Sequence, residues 1–182
     1  YQVYQKYFKL FFFASIFLLL MVFIPGLQLE GTSAKSWIQL GNFSLQTSEL
    51  VKLSFIIFLA AWLSKTGLRT KSWKFGAWPF IIFLVIISTL IVLQPDIGTL
   101  SIIILTSLAM YFVAGANIKH LLAIISAGLL ALVLMVKAAP YRLNRFIAFL
   151  DPEKDPLGIT YQIRQALIAV GSGGWWGLGL GH

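Results

Sequence analysis

The 182-residue sequence contains no cysteine. That excludes a disulfide framework and any thiolate metal site. Histidine is nearly absent: His120 and His182 are too few for a histidine-rich metal centre. Acidic residues are scarce as well, six Asp and Glu against fourteen Lys and Arg. Charged residues make up only 11% of the chain, where a soluble domain carries about a quarter. What fills the sequence is apolar: 59% of residues are hydrophobic and the mean hydropathy is +0.87. A net charge of +8 raises nucleic acid as a partner. The apolar content makes membrane topology the better explanation, and no nucleic-acid partner is expected. The expected fold class is therefore all-α, a polytopic membrane helix bundle.

Five spans follow from hydropathy: Phe8 to Ile24, Ser48 to Leu63, Trp78 to Leu93, Ile97 to Ile118 and Leu121 to Val136. Several are shorter than the roughly 20 residues a span needs, so flanking residues must extend them. Pro25-Gly26 stops the first span, which no small-residue cleavage pattern follows. It reads as a membrane helix and not as a signal peptide. Ser48 is the expected N-cap of the second span, with Glu49 near the positive end of its dipole. Trp37, Trp73, Trp78, Tyr111 and Tyr141 lie near span ends, as interfacial aromatics do.

Charge then orients the bundle. Lys6, Lys9, Lys65, Arg69, Lys71, Lys74 and Lys119 fall on one side of this alternation, and no acid joins them. Glu30, Glu49, Asp96, Asp151, Glu153 and Asp155 fall on the other. The positive-inside rule makes the first side cytoplasmic, with the N-terminus in and the tail out. The whole chain is expected to be a single membrane domain. Its outer loops cover about 25–48 and 137–182, and its cytoplasmic loop about 64–75.

The outer side carries the unusual sequence. Glu49 and Lys52 are three residues apart and share a helix face at the mouth of an apolar run. A lysine at the centre of a spanning helix costs about 3 kcal/mol. Such residues face a protein interior or a polar cavity and take part in function. The segment from Gly31 to Glu49 mixes aromatics, amides and glycines, which suits a packed loop. Gln94-Pro95-Asp96 forms a corner between the third and fourth spans. The tail holds Tyr141-Arg142 with Arg145, then Asp151-Pro152 to Gly158, Tyr161-Gln162 with Arg164-Gln165, and a glycine-rich block from Gly171 to Gly181.

These residues resemble the SEDS family (shape, elongation, division and sporulation proteins), which includes FtsW, RodA and SpoVE. Lys35 to Lys52 is similar to the family's R-S-W-I-x-x-G-x-F-x-x-Q-P-S-E-x-x-K, with Lys35 for Arg and Thr47 for Pro. Gln94 to Thr99 matches its Q-P-D-x-G-T. Tyr141 to Gly181 matches its Y-R-x-x-R, D-P-x-G-x-x-Y-Q and glycine-rich run. The three motifs come in family order, and the wording of the first sits nearer the FtsW/SpoVE branch than RodA. The resemblance implies a peptidoglycan glycosyltransferase of the bacterial cytoplasmic membrane, acting in division or cell-shape maintenance. It would polymerise lipid II at the outer face beside a class B penicillin-binding protein transpeptidase and membrane lipids. It also implies about ten spans, with two before this segment and three after it. The family's catalytic aspartate would lie beyond His182, so this segment alone is expected to be inactive.

The chemistry implied needs a base on the acceptor hydroxyl and cations on the leaving diphosphate. Lys52, Arg142, Arg145 and Arg164 are the outer cations, with Lys35 at the rim. Arginine offers a bidentate fork to phosphate and lysine a point charge. Gln46, Glu49, Lys52, Asp96, Arg142, Arg145, Gln162 and Gln165 are the expected substrate-cavity residues, and aromatic-rich grooves between spans suit the polyprenyl tail. The cofactor stays open. A divalent cation is compatible, although no ligand cluster is visible.

Plainer readings stand beside these. Glu49 and Lys52 serve equally as cap and anchor of a helix, and Asp96 as the cap of the fourth span. Arg142 and Arg145 suit snorkelling to headgroups. The glycine block lacks the ending of a phosphate-binding loop and suits close helix packing or a re-entrant bend. Two other function classes remain. A lipid II flippase or transporter would want charge near the midplane and inverted repeats, and no repeat is evident. A non-enzymatic membrane scaffold would need only surfaces for a partner synthase.

Overall fold

The computed structural model describes residues 2–27, 36–41, 43–138 and 160–179. It forms two compact units, Tyr1–Ile124 and Ile125–His182. In the first, a short helix α1 (Gln2–Lys6) leads into α2 (Phe8–Met21). A β-hairpin of β1 (Trp37–Leu40) and β2 (Phe43–Gln46) precedes α3 (Thr47–Thr66). α4 is Trp78–Leu93, α5 is Ile97–Val113 and α6 is Ile118–Ala138, which continues into the second unit. The second unit also holds α7 (Tyr161–Gly173).

Each of the five expected spans contains a helix, α2 to α6. Flanking residues lengthen three of them, α6 running Ile118–Ala138 where Leu121 to Val136 was expected. α3 runs on through a 3-10 turn at Gly67–Lys71, and a π turn at Trp73–Ala77 leads into α4. These continuous stretches, with α6, give three segments of 25, 21 and 20 residues that are long and apolar enough to cross a membrane. α2 and α5, with 14 and 17 residues, reach only about 21 and 26 Å against roughly 30 Å of hydrocarbon. The fourth span ends sooner than expected, at Val113, because the chain reverses at Gly115 (φ +80) and Ile118 starts the next helix.

Packing between these apolar helices relies on close contact and polar glue, since lipid tails are as apolar as the side chains they would replace. Phe12 of α2 stacks on Phe58 of α3 with ring centroids 4.6 Å apart, and Phe83 of α4 closes edge-on against both. The buried Ser15 and Ser54 hydroxyls meet 2.6 Å apart and tie α2 to α3. Tyr111, expected at the interface, is instead fully buried and stacks on Phe80. Its ring extends the aromatic core, and its hydroxyl finds a carbonyl, that of Thr70 at 3.2 Å.

The hairpin was not legible as such in the loop it replaces. Its register pairs Trp37 with Gln46 and Leu40 with Phe43. The turn enters through Gly41 at φ +62, the left-handed backbone that two-residue hairpin turns require. Gln39 N–H donates to Leu27 O at 2.9 Å, which fastens the hairpin to the turn after α2.

Candidate functional site

The polar groups gather at the end of the bundle where α3 and α5 begin. Thr47 is the first residue of α3. Its amide and its hydroxyl both donate to Ser36 O, at 3.0 and 3.2 Å. A proline, which the family motif has here, could make neither bond. The pair of bonds fixes the hairpin against the start of α3, and both Ser36 and Thr47 are fully buried. Gln46 is the residue before the helix, half-buried, and its side chain does not cap it.

Ser48 does not serve as the N-cap of α3, because the helix starts at Thr47 and Gln46 takes the N-cap position. Its hydroxyl donates instead to Asp96 Oδ2 at 3.1 Å. Asp96 caps α5: its Oδ1 accepts the Thr99 amide at 3.1 Å. One carboxylate thus caps one helix and tethers the start of another. Beside it, Gln94 is fully buried, and its Nε2 donates 2.9 Å to Leu19 O. That carbonyl lies in the last turn of α2, where Phe23 N–H turns to Leu20 O. Gln94 therefore satisfies a carbonyl that the helix end leaves open.

Glu49 sits in the first turn of α3, where the helix dipole favours an acid. Lys52 Nζ reaches both of its carboxylate oxygens at 2.8 Å. The acid is 55% exposed and the lysine 22%, so the lysine is the sheltered member. It lies five residues into α3, about 8 Å along the axis. That is far short of the midplane, so its embedding costs less than a central lysine would. An exposed helical pair of this kind contributes about 0.3–0.5 kcal/mol. Stability alone is a weak reason for it.

The structure thus brings Glu49, Lys52, Ser48, Asp96, Gln94 and Gln46 to one end of the first unit. Arg142 and Arg145 lie outside the described residues, as do Glu30, Lys35, Asp151, Glu153 and Asp155. Gln165 and Arg164 are exposed on α7, and the Gln162 backbone is on the same helix. The glycine block does not pack closely among the described residues: a Cβ on Gly171, Gly173, Gly174 or Gly177 would meet nothing within 4 Å. Trp175 and Trp176 there are 100% and 99% exposed. A groove of about 570 Å³ runs between α3 and α5 at the other end, lined by Ala60, Leu63, Gly67, Thr106, Met110 and neighbours. No aromatic side chain lines it among the described residues. The described residues offer no ready cation site: both Asp96 oxygens accept hydrogen bonds, and no three acids or histidines cluster among them.

A bundle of apolar helices with an acid-and-lysine polar end defines a polytopic α-helical membrane protein. Sequence similarity narrows this class to a family. The profile of the cell cycle proteins FtsW, RodA and SpoVE matches residues 1–182, and the chain belongs to that family. It is 40% identical over 182 residues to stage V sporulation protein E of Bacillus subtilis (strain 168), covering 100% of this chain and 50% of that protein. It is 38% identical over 181 residues to the probable peptidoglycan glycosyltransferase FtsW of Escherichia coli O6:H1, covering 100% and 43%. A solved structure described as "structural coordination of polymerization and crosslinking by a peptidoglycan synthase complex" superposes with a TM-score of 0.68. There the identity is 29%, over 96% of this chain and 51% of that one. The chain spans about half the length of the curated relatives it matches.

Proposed function

We propose that this chain forms part of a peptidoglycan glycosyltransferase that polymerises lipid II at the outer face of the bacterial cytoplasmic membrane. The observation that carries the reading is the match along the whole chain to relatives named as probable peptidoglycan glycosyltransferases. The Glu49–Lys52 pair supplies the matching chemistry. Lys52 is a sheltered cation at the rim of the bundle, held by an acid that a diphosphate can outcompete. Its charge would offset that developing on the lipid diphosphate as the glycosidic bond forms. Arg142, Arg145 and Arg164 are the further cations of this proposal, and Gln46, Gln162 and Gln165 its hydrogen-bonding groups.

Asp96 has a different part. Both of its oxygens hold helix ends together, so it positions the start of α3 and does not take the acceptor's proton. The base belongs after the glycine-rich block, as the resemblance implies. The orientation follows charge: the Arg69 end faces the cytoplasm and the Asp96 end faces out. A crosslinking transpeptidase of the class B penicillin-binding kind is the proposed partner, in keeping with the synthase complex that the fold resembles. The test is reconstitution with lipid II. A protein of the relatives' full length that carries this segment should make glycan chains, and the 182-residue segment alone should make none. A full-length protein that moves lipid II across vesicles without polymerising it would point to a transporter.

A further inference from the structure

Among the described residues, the densest cluster of like charge lies away from the candidate site, at the opposite end of the first unit. Lys65, Arg69, Lys71, Lys74 and Lys119 are all exposed there. No acid pairs with them among the described residues, whose one ion pair is Glu49–Lys52. Lys65 instead lies over the Phe8 ring, 4.2 Å from its centroid, which brings the start of α2 with Lys6 and Lys9 to the same end.

This surface is built, not a loose loop. The Thr70 hydroxyl shares its one proton between Gly67 O at 2.8 Å and Ala114 O at 3.2 Å, while Tyr111 Oη donates to Thr70 O. Those bonds clamp the α3–α4 connection onto the α5–α6 turn. Gly76 packs so tightly on Thr70 that a Cβ there would collide with the Thr70 carbonyl. Trp73 closes edge-on against His120 at 4.8 Å, next to Lys119. The backbone that carries the cations is therefore held in place.

Apolar side chains alternate with them. Leu68, Trp73, Phe75 and Trp78 are 86%, 43%, 54% and 51% exposed. An acidic soluble partner would neutralise the cations but leave these groups in water. The boundary between headgroups and acyl chains accommodates both, with aromatics at headgroup level and cations against phosphate. We propose that this end of the bundle is a binding site for anionic phospholipid, with Arg69, Lys71, Lys74 and Lys119 holding the headgroup phosphate and Trp73 and Trp78 flanking it.

The test is lipid selectivity at the protein surface. The chain is reconstituted in phosphatidylcholine bilayers with trace spin-labelled phosphatidylglycerol or spin-labelled phosphatidylcholine, and the motionally restricted fraction is measured for each. The wild type should prefer phosphatidylglycerol several-fold. Each cation near the surface is worth about a fivefold preference at most, so single Gln substitutions should lower it measurably. R69Q/K71Q/K74Q/K119Q should abolish it. All four positions are exposed, and circular dichroism should show an unchanged helix content. Two controls separate this site from diffuse charge: Lys137→Gln, at the far end of α6, should keep the preference, and so should the charge-conserving K71R/K74R. Equal restriction of both lipids by the wild type would overturn the proposal, as would a preference that survives the fourfold change. A wild type without lipid preference that binds an immobilised glutamate-rich peptide would identify a protein-docking face and overturn it too.

Discussion

Asp96 offers the sharpest test of the architecture, because structure and chemistry predict opposite outcomes for one substitution. Its Oδ1 caps α5 through Thr99 N–H and its Oδ2 accepts the Ser48 hydroxyl. Replacing an N-cap carboxylate by Ala costs about 0.5–2 kcal/mol. Losing a hydrogen bond to a charged acceptor costs about 1.5–3 kcal/mol more. Asp96→Ala should therefore destabilise by about 2–4 kcal/mol, after allowance for the partial exposure of the site. Asp96→Asn should cost only about 1 kcal/mol. Asparagine caps as well as aspartate, and the Ser48 hydroxyl can accept from its amide. Ser48→Ala should couple to Asp96→Ala in a double-mutant cycle by about 1 kcal/mol. Reversible unfolding in mixed micelles measures all of these. In a full-length protein, Asp96→Asn should keep most of the glycan-polymerising activity, because it keeps the geometry and loses only basicity. Full stability with lost activity in Asp96→Asn would refute the argument and put this carboxylate in the reaction itself. An additive cycle would refute the tether.

Other perturbations follow from single contacts. Gln94→Leu should destabilise by about 1–3 kcal/mol, since the Leu19 carbonyl is left buried without a donor; thermal unfolding in detergent reads it. Gly76→Ala should cost about 1–3 kcal/mol through overpacking against Thr70, and should loosen the 67–77 connection in hydrogen exchange, whereas Gly41→Ala should act only on the hairpin. Cysteine placed at Phe43, which is 81% exposed, should label from outside intact cells, and cysteine at Lys71 should label only after permeabilisation; the reverse would invert the orientation.

Much of the fold was legible in the sequence because hydrocarbon permits few solutions. Apolar runs broken at Pro25 and Pro95 mark helices, although the break at Gly115 was read through, and Pro-Asp-x-Gly announces the cap at Asp96. The Glu49–Lys52 contact follows from helical spacing alone. The hairpin was missed although Gly41-Asn42 between Trp37–Leu40 and Phe43–Gln46 is turn chemistry, because strands four residues long carry little periodicity. The Ser48–Asp96 and Gln94–Leu19 bonds join residues 48 and 75 positions apart, which no local pattern encodes. A lone amide at the end of an apolar helix was still a signal, since polar side chains there act as glue between helices. Tyr111 was misread for a related reason: a tyrosine near a span end suits the interface or the core, and only its stacking on Phe80 decides.

The central claim is that the sheltered cation of α3 serves the diphosphate chemistry. Because the Glu49–Lys52 pair contributes only about 0.3–0.5 kcal/mol to stability, a change at Lys52 can be read as chemistry and not as unfolding. The direct measurement is the rate of glycan-chain formation from purified lipid II by a full-length protein carrying this segment, as wild type, Lys52→Ala and Lys52→Arg at matched folded concentration. Lys52→Ala should lose about a hundredfold or more, the scale of removing one preorganised electrostatic contact. Lys52→Arg should recover part of the rate, because its guanidinium keeps the charge but not its shape and hydration. Wild-type rates in Lys52→Ala would contradict the claim.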